Sequence, residues 1–119
     1  MERKRSATFV LMAALGLGLG ANAFAATGPT QVPLKVTGMY MVNGSGAIYV
    51  AFNSGAMPGC YANSGGYLLP TNTFYKELYA QLLMIVATGG VKASVIYTQN
   101  TPTNNWGDCN FDGIYLLPQ

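Results

Sequence analysis

The sequence predicts a mainly β domain with one helix, in the order of three strands, the helix and two strands (β-β-β-α-β-β). Two observations predict it. Segments in which apolar and polar residues alternate, typical of half-buried strands, lie on both sides of residues 73–88. Residues 73–88 instead repeat apolar side chains at helical spacing and run into Gly89 and Gly90, which favour a helix end. We therefore expect one small β domain built around a single helix.

Residues 1–25 are predicted to be a secretory signal peptide. A basic start precedes an apolar run that is too short to span a bilayer comfortably, and small-x-small cleavage sites end at Ala23 and Ala25. Cleavage after Ala25 or nearby leaves residues 26–119 as one domain, secreted or periplasmic, with no membrane span after processing. A retained membrane anchor is the alternative interpretation.

The charge of the predicted mature chain is balanced. This chain contains no arginine or histidine. Its three lysines balance its three carboxylates, and these six residues are Lys35, Lys76, Lys92, Glu77, Asp108 and Asp112. Without a basic patch, nucleic acid is disfavoured as a partner. Without histidine, a Ser–His or Cys–His nucleophile pair is impossible, which disfavours an enzyme. No cofactor is expected.

The two cysteines, Cys60 and Cys109, are expected to form a disulfide, because an even pair in an exported protein usually does. Closing a loop of about 50 residues stabilises a fold by roughly 4 kcal/mol in the chain-entropy model. Two buried free thiols are the alternative.

Strands are predicted from alternation and turn residues. Residues 26–32 are polar and contain proline, so we expect them to be a loose start. A turn at Asn43–Gly46 predicts a hairpin between the first two strands, and Ser64–Gly66 interrupts the third. The predicted strands are 34–42, 47–53, 60–69, 91–98 and 111–117. The residues of the first strand expected on one face are Leu34, Val36, Tyr40 and Val42.

The order of three strands, a helix and two strands is that of the OB-fold, a small five-stranded barrel with its helix between the third and fourth strands. The predicted fold class is therefore an OB-fold. Composition alone also allows an open α+β sheet.

The predicted helix, residues 73–88, is apolar on two sides. One stripe consists of Phe74, Leu78, Leu82 and Ile85, and the stripe beside it consists of Tyr75, Tyr79, Leu83, Val86 and Ala87. A helix that is apolar nearly all round has to be covered on both sides, and a chain this short has little material for a second cover. We expect a second copy of the chain to cover the second stripe. The alternative is a central helix wrapped by its own sheet.

The helix also carries a sequence resemblance. Residues 75–89 begin Tyr75-Lys76-Glu77-Leu78, continue with Gln81 and end at Thr88-Gly89 before a strand. This pattern resembles the B subunits of AB-type bacterial toxins, in particular the subtilase cytotoxin and pertussis-like group, whose helices start with aromatic-Lys-Glu-Leu and end with Thr-Gly.

The resemblance implies an OB-fold subunit that forms a homo-oligomeric ring, a pentamer, with its helices around a central channel. It implies binding to host glycans, often sialylated, and delivery of a toxic A subunit. The matched positions are structural, so no glycan-binding residue of the family is transferred to this chain.

A glycan site is predicted from loop residues. Aromatic rings lie against the C–H face of a sugar, and neutral amides and hydroxyls bind its hydroxyl groups without the desolvation cost of a charge. A Cys60–Cys109 bond would bring two loops together, which gives a hypothetical ligand cluster of Ser54, Tyr61, Asn63 and Trp106. The alternative makes Trp106 a core residue and the asparagines turn formers.

One segment partly matches the sequence pattern of a calcium-binding loop. Residues 108–113 match the opening of such a loop, but Gln119 stands where a bidentate Glu is needed. An Asp/Asn turn into the last strand explains the segment, so no metal site is expected.

Two functions are compatible with these features. The first is a secreted, ring-forming, glycan-binding subunit resembling toxin B subunits. The second is a secreted or periplasmic protein-interaction module, an inhibitor or adhesin-like protein, on the same fold without lectin activity.

Overall fold

A computed structural model describes residues 24–119 as seven strands and one helix. The elements are β1 (Phe24–Thr27), β2 (Gln31–Leu34), β3 (Val36–Met41), β4 (Ile48–Phe52), β5 (Gly65–Leu68), α1 (Tyr75–Thr88), β6 (Val91–Gln99) and β7 (Cys109–Leu116). The predicted signal peptide lies outside the described residues except for Phe24 and Ala25, which begin β1. No helix within residues 24–119 is long and apolar enough to cross a bilayer.

All seven strands belong to one sheet. The hydrogen-bonded path runs β1-β6-β7-β5-β4-β3, and β2 also pairs with β6. Neighbouring strands are antiparallel except β5 and β7, which are parallel. Within the described part of the chain the terminal strands β1 and β3 do not pair with each other, so this path is open. The mainly β architecture with one helix is confirmed, and a closed five-stranded barrel stays a prediction.

The prediction of a loose segment over residues 26–32 is wrong. Ala26 and Thr27 lie in β1 opposite Tyr97 and Ile96, and β2 begins at Gln31. These strands are short and mostly exposed, so they show no apolar alternation; the long strand β6 supplies their partner groups.

The expected common face of the first predicted strand is wrong for Tyr40. The pairing of β3 with β4 shifts register between Val36 and Gly38, so that Met39 packs against the core and Tyr40 points away from it. An extra residue in one strand reverses the inside–outside alternation beyond it. The shift therefore places Tyr40 on the outer face of the sheet, opposite Tyr49.

The third predicted strand is shorter than expected. Only Gly65–Leu68 is a strand, because the residues before it form tight turns in which Ala62 and Asn63 both have left-handed backbone angles. The last strand begins at Cys109, earlier than predicted.

The helix lies close to its predicted bounds. The side-chain carbonyl of Asn72 accepts a hydrogen bond from the backbone N–H of Phe74 at 2.8 Å, just before the helix begins. Gly89 ends the helix with a left-handed φ of 83°, as predicted. On the first stripe Phe74 is exposed, while the other three side chains are buried against the sheet: Leu78, Leu82 and Ile85. They join a core that includes Leu34, Val50, Phe52, Leu68, Val95 and Phe111.

The second stripe of α1 divides into two parts. Tyr75 and Tyr79 pack partly against the core, and the Tyr75 hydroxyl donates a hydrogen bond to the carbonyl of Gly46 at 2.6 Å. Leu83 and Val86, further along the helix, leave 45% and 53% of their surface exposed. The chain's own sheet therefore covers the start of this stripe and leaves its end open.

Candidate ligand-binding site

Three tyrosines form a row across adjacent strands. Tyr40 on β3 lies directly opposite Tyr49 on β4, and Tyr49 lies directly opposite Tyr67 on β5. Residues in direct register share one face of a sheet. Ile48 and Val50, the neighbours of Tyr49, belong to the core, so the tyrosine row lies on the outer face.

Trp106, from the loop between β6 and β7, covers the middle of this row. Its indole stacks on the ring of Tyr49, with centroids 4.9 Å apart and planes inclined by 28°. It meets Tyr40 edge-on at 5.9 Å, and Tyr61 lies 5.9 Å away on another side. Tyr49 is only 7% exposed although it faces away from the core, whereas Trp106 is 42% exposed.

We call these five rings the aromatic cluster: Tyr40, Tyr49, Tyr61, Tyr67 and Trp106. Burial, and then the neighbouring hydroxyls of Tyr61 and Tyr67, raise the pKa of Tyr49 above its ordinary value. A tyrosine is already protonated at neutral pH, and the raised pKa keeps Tyr49 uncharged to a higher pH still.

Gly65 gives the Tyr49 ring its space. A Cβ at this position would stand 2.3 Å from the Tyr49 hydroxyl oxygen and 2.6 Å from the carbonyl oxygen of Val50. Real side chains do not approach this closely, so glycine is required here by the packing of the cluster rather than by backbone angle.

The loop that carries Trp106 is organised by the buried carboxylate of Asp108. Its Oδ1 accepts hydrogen bonds from the hydroxyls of Thr101, at 2.7 Å, and Thr103, and its Oδ2 accepts one from the N–H of Asn105 at 2.8 Å. Burial alone raises the pKa of a carboxyl, but these hydrogen bonds outweigh it and lower the pKa of Asp108 to about 2. Both oxygens hold the loop in place, which leaves Asp108 unsuited to the calcium loop considered above.

A second loop is fastened to the first. The predicted disulfide between Cys60 and Cys109 is present, with Cα atoms 5.6 Å apart. The backbone N–H of Ala62 donates to the side-chain oxygen of Asn104 at 3.3 Å, which links the two loops again beside Trp106. The expectation that the disulfide brings these loops together is confirmed.

Of the four predicted ligand residues, Tyr61 and Trp106 lie together in the aromatic cluster. Asn63 instead shapes its turn: its Oδ1 accepts a hydrogen bond from the N–H of Gly59 at 3.2 Å. Ser54 is an exposed residue in the turn that follows β4. Sequence reasoning missed Tyr40, Tyr49 and Tyr67, because the shared outer face of these strand residues depends on pairings that the sequence does not reveal.

A small polar pocket adjoins the cluster. Tyr67 is in register with Asn110 on the parallel strand β7, and Asn110 is opposite Thr98 on β6. The Thr98 hydroxyl donates to Oδ2 of Asp112 at 2.5 Å. The pocket has a volume of about 150 Å³ and is lined by Leu69, Thr71, Asn72, Asn110, Phe111 and Asp112. We refer to it as the polar pocket.

The arrangement offers a ligand aromatic and polar contacts. Residues 24–119 contain no group of three or more His, Cys, Asp or Glu side chains placed to hold a metal ion. The exposed indole, the tyrosine hydroxyls and the neighbouring amides offer stacking and hydrogen bonding. No known protein family, curated protein or solved structure matches the chain.

Proposed function

We propose that this protein is a secreted glycan-binding subunit and that the aromatic cluster is its binding surface. The observation that carries the proposal is the position of Trp106, which stacks on Tyr49 and still leaves 42% of its surface exposed. A large aromatic ring held at the surface offers an apolar face that suits the C–H face of a sugar ring. Exposed apolar surface of this kind on a small domain marks a place of interaction.

The cluster is held in place by contacts within the chain. Trp106 is fixed from below by Tyr49 and from its own loop by Asp108, and the disulfide ties that loop to the chain carrying Tyr61. A preorganised surface loses little side-chain freedom on binding. This favours recognition of a polar ligand such as a glycan, whose individual contacts are weak.

We propose that the sheet closes as an OB-type barrel. β2 pairs with β6 and β3 pairs with β4, which are strands far apart on the hydrogen-bonded path, and only Lys35 separates β2 from β3. If β2 and β3 are read as one bent strand, that strand pairs with β6 at one end and with β4 at the other, which closes the ring β6-β7-β5-β4. Two further features support an OB-type barrel. The strands β5 and β7 are parallel, and α1 lies between β5 and β6, which would be the third and fourth strands of the barrel.

Self-association is the third part of the proposal. Leu83, Met84 and Val86 leave an apolar surface at the end of α1 that the chain's own sheet does not cover. A second copy of the chain would bury it, as in the ring of five that the resemblance to toxin B subunits implies. In such an assembly the protein would deliver a toxic partner to cells whose host glycans it binds.

A protein-interaction module without lectin activity is the second candidate. It is favoured by β3, which has a partner strand on one side only within residues 24–119 and on which Tyr40 and Met41 are exposed. Exposed aromatic and methionine side chains are enriched in protein interfaces, and an unpaired strand edge accepts a partner strand. The two candidates differ in whether binding survives removal of glycans from the partner.

A glycan array tests the proposal. Wild-type protein and the Trp106→Ala variant are applied to the same array, with Tyr115→Ala as the matched control. Tyr115 is an exposed aromatic residue near the far end of β7, outside the cluster. We expect glycan signals for wild type and for the control, and their loss for Trp106→Ala. No signal from any of the proteins, or equal signals from all three, contradicts the proposal.

A further inference from the structure

We infer that the glycan is neutral rather than sialylated, and that the polar pocket holds its hydroxyl groups through Asn110 and Asp112. This inference depends on the proposed function and adds the chemical class of the ligand. It departs from the sialylated glycans that the resemblance implies.

The polar pocket continues the surface of the aromatic cluster. Tyr67 and Asn110 are direct partners on the parallel strands β5 and β7. Partners in register share a face of the sheet, so the amide of Asn110 begins where the tyrosine row ends. A sugar ring stacked on the cluster would place its edge, or its next residue, over the pocket. At about 150 Å³ the pocket is below the roughly 300–1,000 Å³ of most small-molecule sites, so it suits one edge of a sugar ring.

Asp112 is placed in the pocket by an irregularity of the sheet. The pairing of β6 with β7 shifts register between Ile96 and Tyr97, from Ile96 opposite Gly113 to Tyr97 opposite Phe111. Asp112 is thereby left without a partner in the ladder, in the manner of a β-bulge, which commonly redirects a side chain towards a site.

The hydrogen bonds at the pocket leave groups free for a ligand. Thr98 donates to Oδ2 of Asp112, while Oδ1 accepts no hydrogen bond from any residue in the described range. A carboxylate with one oxygen fixed and one free accepts a hydroxyl hydrogen strongly. The side-chain oxygen of Asn72 accepts a hydrogen bond from the N–H of Phe74, and its N–H₂ group can donate to a ligand. Asn110 adds a second amide.

The charge of this surface disfavours an anionic sugar. Asp112 is the charged side chain among the six residues that line the pocket. A sialic acid carboxylate placed there would face a like charge without an opposing cation. The free carboxylate oxygen and the amides instead match the hydroxyl groups of a neutral hexose.

None of the three lysines of residues 24–119 is among the residues that line the polar pocket. Lys35 lines a separate cavity at the end of α1, together with Val86 and Gly89. Lys92 precedes Thr98 by six residues of β6, which is about 20 Å along a strand. Lys76, in the first turn of α1, is the cation closest to the pocket along the chain, and it therefore serves as the control in the test.

The test uses pairs of immobilised glycans that differ only in a terminal sialic acid. We expect wild-type protein to bind the neutral member at least about tenfold more tightly, with little dependence on salt concentration because no ion pair forms. Asp112→Asn, which keeps the size of the side chain, should weaken binding of the neutral member and reduce the difference between the two. Asn110→Ala provides a second variant if Asp112→Asn fails to fold, and Lys76→Gln should change neither affinity.

Two results would overturn the inference while leaving the proposed function intact. One is tighter binding of the sialylated member that depends on Trp106. The other is tighter binding of the neutral member that Asp112→Asn and Asn110→Ala leave unchanged. Failure of the proposed function has a different signature, the absence of Trp106-dependent binding to either member of any pair.

Discussion

Trp106 and Tyr49, far apart in the sequence, stack with ring centroids 4.9 Å apart on the outer face of the sheet. The contact buries a tyrosine that faces away from the core and leaves the tryptophan partly open to solvent. A core tryptophan would be covered from all sides. This arrangement decides against the alternative that Trp106 is a core residue.

The stability of Trp106→Ala follows from that contact. We expect a smaller loss in the free energy of unfolding than at a fully buried position: aromatic pairs contribute roughly 0.5–1.5 kcal/mol beyond the area they bury, and 42% of the indole surface is already exposed. Leu82→Ala, at a fully buried position of α1, should cost about 2–5 kcal/mol. Denaturant unfolding of both variants measures the difference. A loss as large for Trp106→Ala as for Leu82→Ala would return the tryptophan to the core.

The second prediction concerns Gly65. Gly65→Ala should lower the free energy of unfolding by about 1–3 kcal/mol, the cost of overpacking, because its Cβ collides with Tyr49 and with the backbone of Val50. It should also change the fluorescence emission of Trp106, the single tryptophan of the chain. Gly38→Ala on β3 is the matched control, because a Cβ there meets nothing within 4 Å. Unchanged emission in Gly65→Ala would argue against the packing described here.

The third prediction is a pH dependence from Asp108. Its folded-state pKa of about 2 lies below the ordinary value of 3.8, so the carboxylate contributes stability above about pH 4 and loses that contribution as the pH falls towards 2. The thermal midpoint should therefore drop across this window in wild type. Asp108→Asn should have a lower midpoint at pH 7 and a shallower drop between pH 4 and 2. Parallel slopes for the two proteins would show that other carboxylates cause the acid sensitivity.

The fourth prediction concerns the open end of the helix. The double variant Leu83→Gln, Val86→Gln should remain folded, because both side chains are about half exposed, and should sediment as a smaller species than wild type. Glu77→Gln, an exposed polar position in the first helical turn, is the control and should not change the oligomer mass. Sedimentation velocity gives the masses. A wild-type protein that sediments as a monomer at high concentration contradicts the proposed self-association.

The sequence predicts the helix, its buried stripe and the disulfide, because each of these leaves a local or countable signal. Leu78, Leu82 and Ile85 recur at helical spacing, and each of the two cysteines has only the other as a possible partner within the chain. The strands β4 and β6 are likewise predicted from the alternation of residues expected on the two faces of a strand.

The candidate site is less accessible to sequence reasoning. Tyr61 and Trp106 are found because both lie in polar loops near a cysteine, Tyr61 directly after Cys60 and Trp106 three residues before Cys109. Tyr40 is assigned to the wrong face because a register shift after Val36 reverses the alternation, and such a shift depends on the partner strand. The position of Asp112 depends on the irregular pairing of β6 and β7 in the same way.

The proposed binding site is tested most sharply by asking whether a bound glycan covers Trp106. Acrylamide quenching of its fluorescence is measured for the purified protein with and without a saturating glycan that binds on the array. We expect markedly reduced quenching in the complex, because a stacked sugar would shield the indole. Quenching that is the same with and without the bound glycan would place the binding site elsewhere and contradict the proposed role of Trp106.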